Sequence, residues 1–343
     1  MTQRKQWLLY GATGYTGSHI AEKAASLGYR PVLAARSEAK VRPLAERLGL
    51  EWRVNDLSDP ASLQALVGEF STVLHAAGPF IDTYRPMSEA CLAAGTHYLD
   101  INGEIPVYEN LAALDTRSRA AGVMLMPGVG FDMVPGDCLA LMLKRKMPDA
   151  TDLVAAVSFE GTLTHGTILS ALNQAGDTLV RRDHALTALK APLTREFDFG
   201  PGRCGGRSIA GAITLGDISV GWRTTGIPNI TVYQRPVAEF AVLADIKTPA
   251  DVRKLPAGPS DEELATIPTL FIGEARNAKG EAIAIRLVTP QVYAITASLA
   301  AAIAQRVHEG DFRAGYQTPA NVLGEDYILG FEGCRMEPWT PGH

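Results

Sequence analysis

Three glycines at regular spacing, Gly11, Gly14 and Gly17, follow a short apolar run in the stretch Leu8-Leu9-Tyr10-Gly11-Ala12-Thr13-Gly14-Tyr15-Thr16-Gly17. Bare backbone at this spacing lets a phosphate come within hydrogen-bond reach of N–H groups at a strand-to-helix turn. Thr13, Tyr15 and Thr16 lie within the same candidate loop. About 19 residues beyond Gly17 come Arg36 and Ser37, at the end of a second apolar run, where a dinucleotide fold grips the adenosine ribose. Asp or Glu at that point holds a free 2′-hydroxyl, whereas an arginine with a hydroxyl neighbour suits a 2′-phosphate, so the pair favours NADP over NAD. The other reading of Arg36, a solvated charge at a helix start, is disfavoured because a cation there opposes the helix dipole unless an anion is near.

Further candidates stand at later strand ends. Asp56, after a third short strand, either contacts the adenine or shapes the turn ahead of Ser58-Asp59-Pro60. Ala77, Gly78, Pro79 and Phe80 follow a fourth strand, and small residues there permit close backbone approach to a ligand. The loops leaving the fifth and sixth strands carry Asp100, Asn102, Glu104, Phe131, Asp132 and Asp137.

The elements that position these residues follow from the pattern of apolar positions. Strands are expected near 7–10, 31–35, 51–54, 72–76, 97–100 and 123–126, with helices from Ser18, over 38–48, 61–67 and 86–94, and one longer helix over 107–121. Six strands alternating with five helices predict a doubly wound α/β domain with a parallel sheet. Beyond residue 146 the pattern becomes that of a mixed sheet: a strand at 153–159, a helix start at 166–172, strand-like runs between 195 and 243, a strand at 281–288 and an alanine-rich helix at 293–307. The expected division is a dinucleotide-binding domain over 1–140, an α+β substrate and dimerisation domain over 141–315, and a tail over 316–343 returning to the first domain. The proline-bearing segment 246–268 reads as a surface excursion, a dimer arm or a lid.

Composition narrows the functional classes. With 46% hydrophobic and 20% charged residues the chain has ordinary globular composition. Its 32 basic and 37 acidic residues leave a net charge of −5, which offers no footprint for nucleic acid or an anionic membrane. Cys91, Cys138, Cys204 and Cys334 are widely separated, so neither a metal site nor a disulfide framework is indicated. No apolar run reaches membrane-spanning length and no leader pattern precedes the first strand, so the expectation is a cytoplasmic protein acting on a small molecule.

The blocks Tyr-Gly-Ala-Thr-Gly-Tyr-Thr-Gly at 10–17, Arg36-Ser37, Ala-Ala-Gly-Pro-Phe at 76–80, Tyr-Leu-Asp-Ile-Asn-Gly-Glu at 98–104 and Gly-Phe-Asp-Met-Val-Pro-Gly-Asp at 130–137 resemble the saccharopine dehydrogenase-like oxidoreductases, which include the trans-acting enoyl reductases. A Gly-Thr-x-x-Ser-Ala stretch at 166–171 continues the resemblance. It implies an NADP-binding Rossmann domain joined to a substrate domain that varies with the substrate.

Hydride transfer asks the protein to align donor and acceptor and to exclude water, with a proton donor as the remaining requirement. Asp132, Glu104 and His165 are the catalytic candidates. Asp132 equally suits a cap for the helix near Pro135, Glu104 an acceptor for loop amides, and His165 a packing histidine. The glycine-rich loop 200–207 is either a lid presenting Arg203 and Arg207 to an acidic substrate or a plain hairpin tip. No tyrosine is followed four residues later by lysine, which argues against the short-chain dehydrogenase mechanism and leaves reduction of a C=C bond or of an imine. The alternative class is an NADP-binding redox sensor or partner-binding module without turnover.

Overall fold

The computed structural model describes residues 6–173, 176–238, 241, 245–246 and 248–340. The chain forms two compact units, one of residues up to Phe131 with Ile295–Val322, the other of Asp132–Ala294 with the residues from Leu323 onward.

The first unit alternates β1 (Leu8–Tyr10), α1 (Tyr15–Ser26), β2 (Val32–Ala35), α2 (Glu38–Leu48), β3 (Trp52–Val54), α3 (Pro60–Val67), β4 (Thr72–His75), α4 (Phe80–Ala94), β5 (His97–Asp100), α5 (Ile105–Ala112), α6 (Asp115–Ala120) and β6 (Met124–Met126). The strands pair in parallel in the order β3-β2-β1-β4-β5-β6, and their order reverses between β1 and β4. That reversal opens a crevice at the carboxyl edge of the sheet, which is where such folds take a dinucleotide. β1, β2, β4, β5 and β6 are buried at every position, as near-continuous apolar runs covered on both faces should be.

Two helices differ from the sequence expectation. The helix expected at 86–94 starts six residues earlier, at Phe80, with Pro86 inside it, because the Glu104 carboxylate takes up the N–H groups of its first turn. The single helix expected over 107–121 is two, α5 and α6. The break puts Asp115 in the first turn of α6, where its carboxylate accepts the backbone N–H of Tyr316 at 2.8 Å.

The second unit begins with α7 (Val134–Lys146) and β7 (Ala150–Ser158), followed by α8 (His165–Asn173), β8 (Leu179–Arg182), β9 (Ala185–Ala188), β10 (Thr194–Asp198), β11 (Arg207–Ile213), α9 (Asp217–Thr225) and β12 (Asn229–Gln234). Short helices α10 (Pro249–Val252) and α11 (Asp261–Thr266) precede the long hairpin β13 (Thr269–Asn277) and β14 (Ala282–Thr289). The sheet runs β10-β11-β12-β7-β13-β14, mixed as expected, with β7 and β12 parallel and the other neighbours antiparallel. α7 packs on β13, β14 and β7, and α9 on β12. Phe197, Phe199, Tyr233, Leu270, Ile272 and Val288 make a separate apolar cluster in this unit. Leu243, which ended an expected strand run, and Lys247 of the 246–268 excursion lie outside the described residues.

α12 (Val292–Glu309) carries the chain back into the first unit, where Trp7 Nε1 donates to Gln305 Oε1 at 3.0 Å and Ser71 Oγ meets His308 Nδ1 at 2.7 Å. β15 (Gly315–Tyr316) then joins the first sheet beside β6, in parallel, with Tyr316 opposite Leu125. In chain order, most of the second unit is therefore inserted into the last strand–helix–strand crossover of the first. After α13 (Pro319–Leu323) and a 3-10 turn, β16 (Arg335–Trp339) pairs antiparallel with β14. The units thus divide the chain at places other than residues 140 and 315, and the tail is shared between them.

Candidate functional site

The three glycines of the first loop do different jobs. Gly11 has φ +87°, and a Cβ there would lie 2.7 Å from the backbone of Ala76 and Ala77, so the glycine loop rests directly on the loop after β4. A Cβ on Gly17 would lie 2.2 Å from the Gly11 carbonyl oxygen, so this glycine lets the first turn of α1 close on the loop. Gly14 is exposed, and a Cβ there would meet only the Gly11 oxygen at an ordinary 3.5 Å. The protein therefore has room for a side chain at Gly14, whereas Gly11 and Gly17 are held to glycine by the backbone they meet. What a side chain there would occupy is the open space over the start of α1. That helix starts with no side-chain cap and no acidic residue in its first turn. Its amides and its dipole are thus presented to an anion. Thr13, Tyr15 and Thr16 are half-buried around this turn, with the Tyr15 ring 4.6 Å from that of His19.

At the end of β2, Arg36 is exposed and makes no hydrogen bond or ion pair with a described residue. Ser37 flanks the start of α2 without giving its hydroxyl to the helix. Asp56 accepts the Ser58 N–H at 2.9 Å in a local turn, and that bond holds its carboxyl below the usual range. Asp59 caps α3, accepting from Ala61 and Ser62. The turn reading of Asp56 thus has a defined geometry, while its exposed carboxylate still lies on the Arg36 side of the sheet, close enough for the two charges to interact.

After β4, Ala77 and Pro79 are half-buried, Gly78 is exposed and Phe80 is buried. Thr83 Oγ1 donates to the carbonyls of Ala77 and Pro79, at 2.7 and 3.0 Å. Glu104 stands behind this loop with 2% of its surface exposed. Its carboxylate accepts the N–H groups of Phe80 at 3.1 Å and Ile81 at 2.8 Å. A negative charge at a helix start is stabilising there. The loop after β5 holds itself by a chain of short-range bonds: Asp100 accepts from Tyr98 Oη, from the backbone and side-chain amides of Asn102 and from Gly128 N–H, and Asn102 Oδ1 accepts the Glu104 N–H. Burial pushes the Asp100 carboxyl up, and these donors oppose the shift. The 98–104 block is thus a brace joining the ends of β4, β5 and β6, a role its polar residues did not reveal in the sequence. The signal that could have found it is their alternate spacing, Tyr98, Asp100, Asn102 and Glu104, because side chains two apart share one side of an extended segment.

The other candidates lie in the second unit. Asp132 is half-buried in the turn before α7. The residue that flanks the start of that helix is Met133, which offers no side-chain cap. Burial, and after it the charges of Asp132 and Asp137, push the Asp217 carboxyl up to about 8. Asp217, which the sequence reading did not single out, packs so closely on α7 that a Cβ on Gly136 would overlap its Oδ1. His165 begins α8, and its Nε2 donates to the Leu255 carbonyl at 3.0 Å. With Val252 packed against Leu163 and Ile168, and Glu263 accepting from Thr162, that bond ties the 246–268 excursion onto its own unit. The 200–207 loop is a closed tip: Gly206 N–H donates to the Gly200 carbonyl at 2.6 Å, Ser158 Oγ donates to the Cys204 carbonyl, and the Cys204 side chain is buried. Arg203 pairs with Glu160 and Arg207 with Glu196, so both arginines already have carboxylate partners. No helix among the described residues is long and apolar enough to cross a membrane.

Comparison with known proteins bears on these features. Residues 7–126 match the family model described as the saccharopine dehydrogenase NADP binding domain, so the first unit carries an NADP-binding domain of that kind. A trans-acting enoyl reductase of Mycobacterium leprae is 33% identical over 215 residues, 57% of this chain and 51% of the relative. A trans-acting enoyl reductase of Mycobacterium tuberculosis is 31% identical over 208 residues, 56% of this chain and 50% of the relative. The chain spans about half the length of the curated relatives it matches. Among solved structures, apo saccharopine dehydrogenase (L-Glu forming) of Saccharomyces cerevisiae aligns with 98% of this chain and 100% of its own, at a TM-score of 0.69 and 11% identity, a likeness of fold.

Proposed function

We propose that this chain is an NADP(H)-dependent oxidoreductase that transfers hydride to or from a C=C or C=N bond of a small-molecule substrate. The observation that carries the reading is the uncapped start of α1 under an exposed Gly14, with Arg36 exposed at the neighbouring strand end and making no hydrogen bond or ion pair with a described residue. These groups fit a dinucleotide bearing a 2′-phosphate: the α1 amides would take the pyrophosphate, and Arg36 with Ser37 the ribose phosphate. The cofactor, when bound, supplies the hydride.

The residues of this chain do the rest. The loops after β4, β5 and β6 would hold the nicotinamide end, and the Glu104 and Asp100 braces would keep those loops in place. Asp132, half-buried in the turn before α7, is a proton-donor candidate, while the Glu104 carboxylate and His165 Nε2 hold backbone partners. Of the two bond types, C=C is favoured by the names of relatives that are 31–33% identical, against a fold likeness at 11%.

Titration of the purified protein with NADPH and NADH, followed by nicotinamide fluorescence, tests the cofactor assignment. Enoyl thioesters and cyclic imines added to the NADPH complex then test the reaction. Oxidation of NADPH by an enoyl acceptor alone is the expected result, and oxidation by imines alone would reverse the choice of bond. The commitment of two of the three proton-donor candidates to backbone contacts favours one other reading, an NADP-binding module without turnover. Tight NADPH binding with no acceptor consumed by a broad panel would support it.

A further inference from the structure

The last residue of β4, His75, is wholly buried and was not among the residues singled out by sequence. Its ring lies among the aromatic rings of Tyr10, Phe80 and Tyr98, with centroids at 5.7, 5.6 and 6.3 Å. His75 Nε2 is 3.0 Å from Thr83 Oγ1. That hydroxyl has one proton, and it is directed at the carbonyls of Ala77 and Pro79. The His75 nitrogen must therefore be the donor, so the ring carries its proton on Nε2 and leaves Nδ1 bare. Nδ1 is buried and has no hydrogen-bond partner among the described residues.

Leaving a buried nitrogen without a partner forfeits the hydration it would have in water and destabilises the fold. An apolar side chain would avoid that cost in such surroundings, so its presence calls for a function of the other nitrogen. That nitrogen fixes Thr83, and Thr83 fixes the two carbonyls of the loop on which the glycine turn rests, since a Cβ on Gly11 would touch Ala76 and Ala77 at 2.7 Å. Burial pushes the imidazole down to about 3, so it stays neutral and the relay keeps one hydrogen-bonding pattern at all ordinary pH.

We infer that buried His75 and half-buried Thr83 form a positioning device that sets the 77–79 loop, and through it the glycine turn, for the bound dinucleotide. The inference rests on the cofactor reading above. Neither side chain is assigned a contact with the cofactor; each acts through backbone that would make one.

The test is a double-mutant cycle on the full chain, with His75→Met, Thr83→Val and the pair, and with Thr83→Ser and His75→Gln as conservative controls. For each variant the NADPH and NADH dissociation constants and the apo melting temperature are measured. His75→Met and Thr83→Val are each expected to weaken both cofactors on the order of tenfold, as small misplacements of positioning groups do. The NADPH to NADH preference should stay constant, because Arg36 is untouched. The double variant should be no worse than the worse single one, the signature of two residues acting as one unit. Thr83→Ser and His75→Gln, which keep the donor and acceptor, should bind within twofold of the parent. Should His75→Met fail to fold, Thr83→Val, which leaves the ring in place, carries the test alone. Parental cofactor affinity in both His75→Met and Thr83→Val overturns the inference while leaving the cofactor reading intact. A parent protein that binds neither nucleotide overturns the cofactor reading itself.

Discussion

The Glu104 carboxylate and the backbone N–H of Phe80, 24 residues apart in the chain, are joined by a 3.1 Å hydrogen bond, with the second carboxylate oxygen on the next amide, of Ile81. Glu104→Gln keeps the shape but turns an NH2 toward one of these two donors. Chemical denaturation should show a loss of about 1–3 kcal/mol, the cost of leaving a buried donor unsatisfied and removing a helix-terminal charge. The pH profile of turnover should not change. Turnover abolished at parental stability would instead make Glu104 the proton donor.

Gly14→Val and Gly17→Ala separate the ligand's space from the protein's own. Valine at 14 points into open space, so the melting temperature should hold while NADPH and NADH binding is lost. Alanine at 17 meets the Gly11 oxygen at 2.2 Å and should destabilise the fold by about 1–3 kcal/mol. Cofactor titration unaffected by valine at 14 would show that the phosphate binds elsewhere.

Arg36→Ala should weaken NADPH relative to NADH by about 1–3 kcal/mol, the range for a charge-assisted bond to phosphate. Parallel titrations of the two nucleotides measure the difference directly. An equal loss for both would remove Arg36 from the 2′-phosphate site.

Asp217 predicts a pH dependence of stability. Its carboxyl rises from 3.8 to about 8 in the folded protein, first because of burial and then because of the charges of Asp132 and Asp137. Between those values the native state holds a proton that the unfolded chain has released, so stability falls as pH rises from about 4 to about 8. The slope from this one group is at most ~1.4 kcal/mol per pH unit, and it vanishes above the folded value. Urea unfolding at several pH values should show that decline in the parent and a flatter profile in Asp217→Asn. A variant with the parent's slope would place the titration on another group.

The parallel domain was legible in the sequence because its signals are local. A buried strand writes itself as an apolar run, a helix as a three-to-four period, and a phosphate turn as glycines at a strand end, each within about a dozen residues. The ends of β2 and β5, and with the former the place of Arg36, followed from those patterns alone. What only the tertiary structure decided involves partners far apart in sequence. The start of α4 at Phe80 depends on Glu104, the break between α5 and α6 places Asp115 against Tyr316, and the seventh strand arrives after a long insertion. No periodicity encodes such contacts, because each depends on which surfaces meet once the helices pack. The same holds for the chemistry. Residue types nominated Glu104 and His165 as catalytic groups and Arg203 and Arg207 as binders of an acidic substrate, and only packing revealed the amides, carbonyl and carboxylates that already engage them. His75 was invisible for the converse reason: a histidine at the end of an apolar strand reads as a core residue until the geometry shows one nitrogen bonded and the other bare.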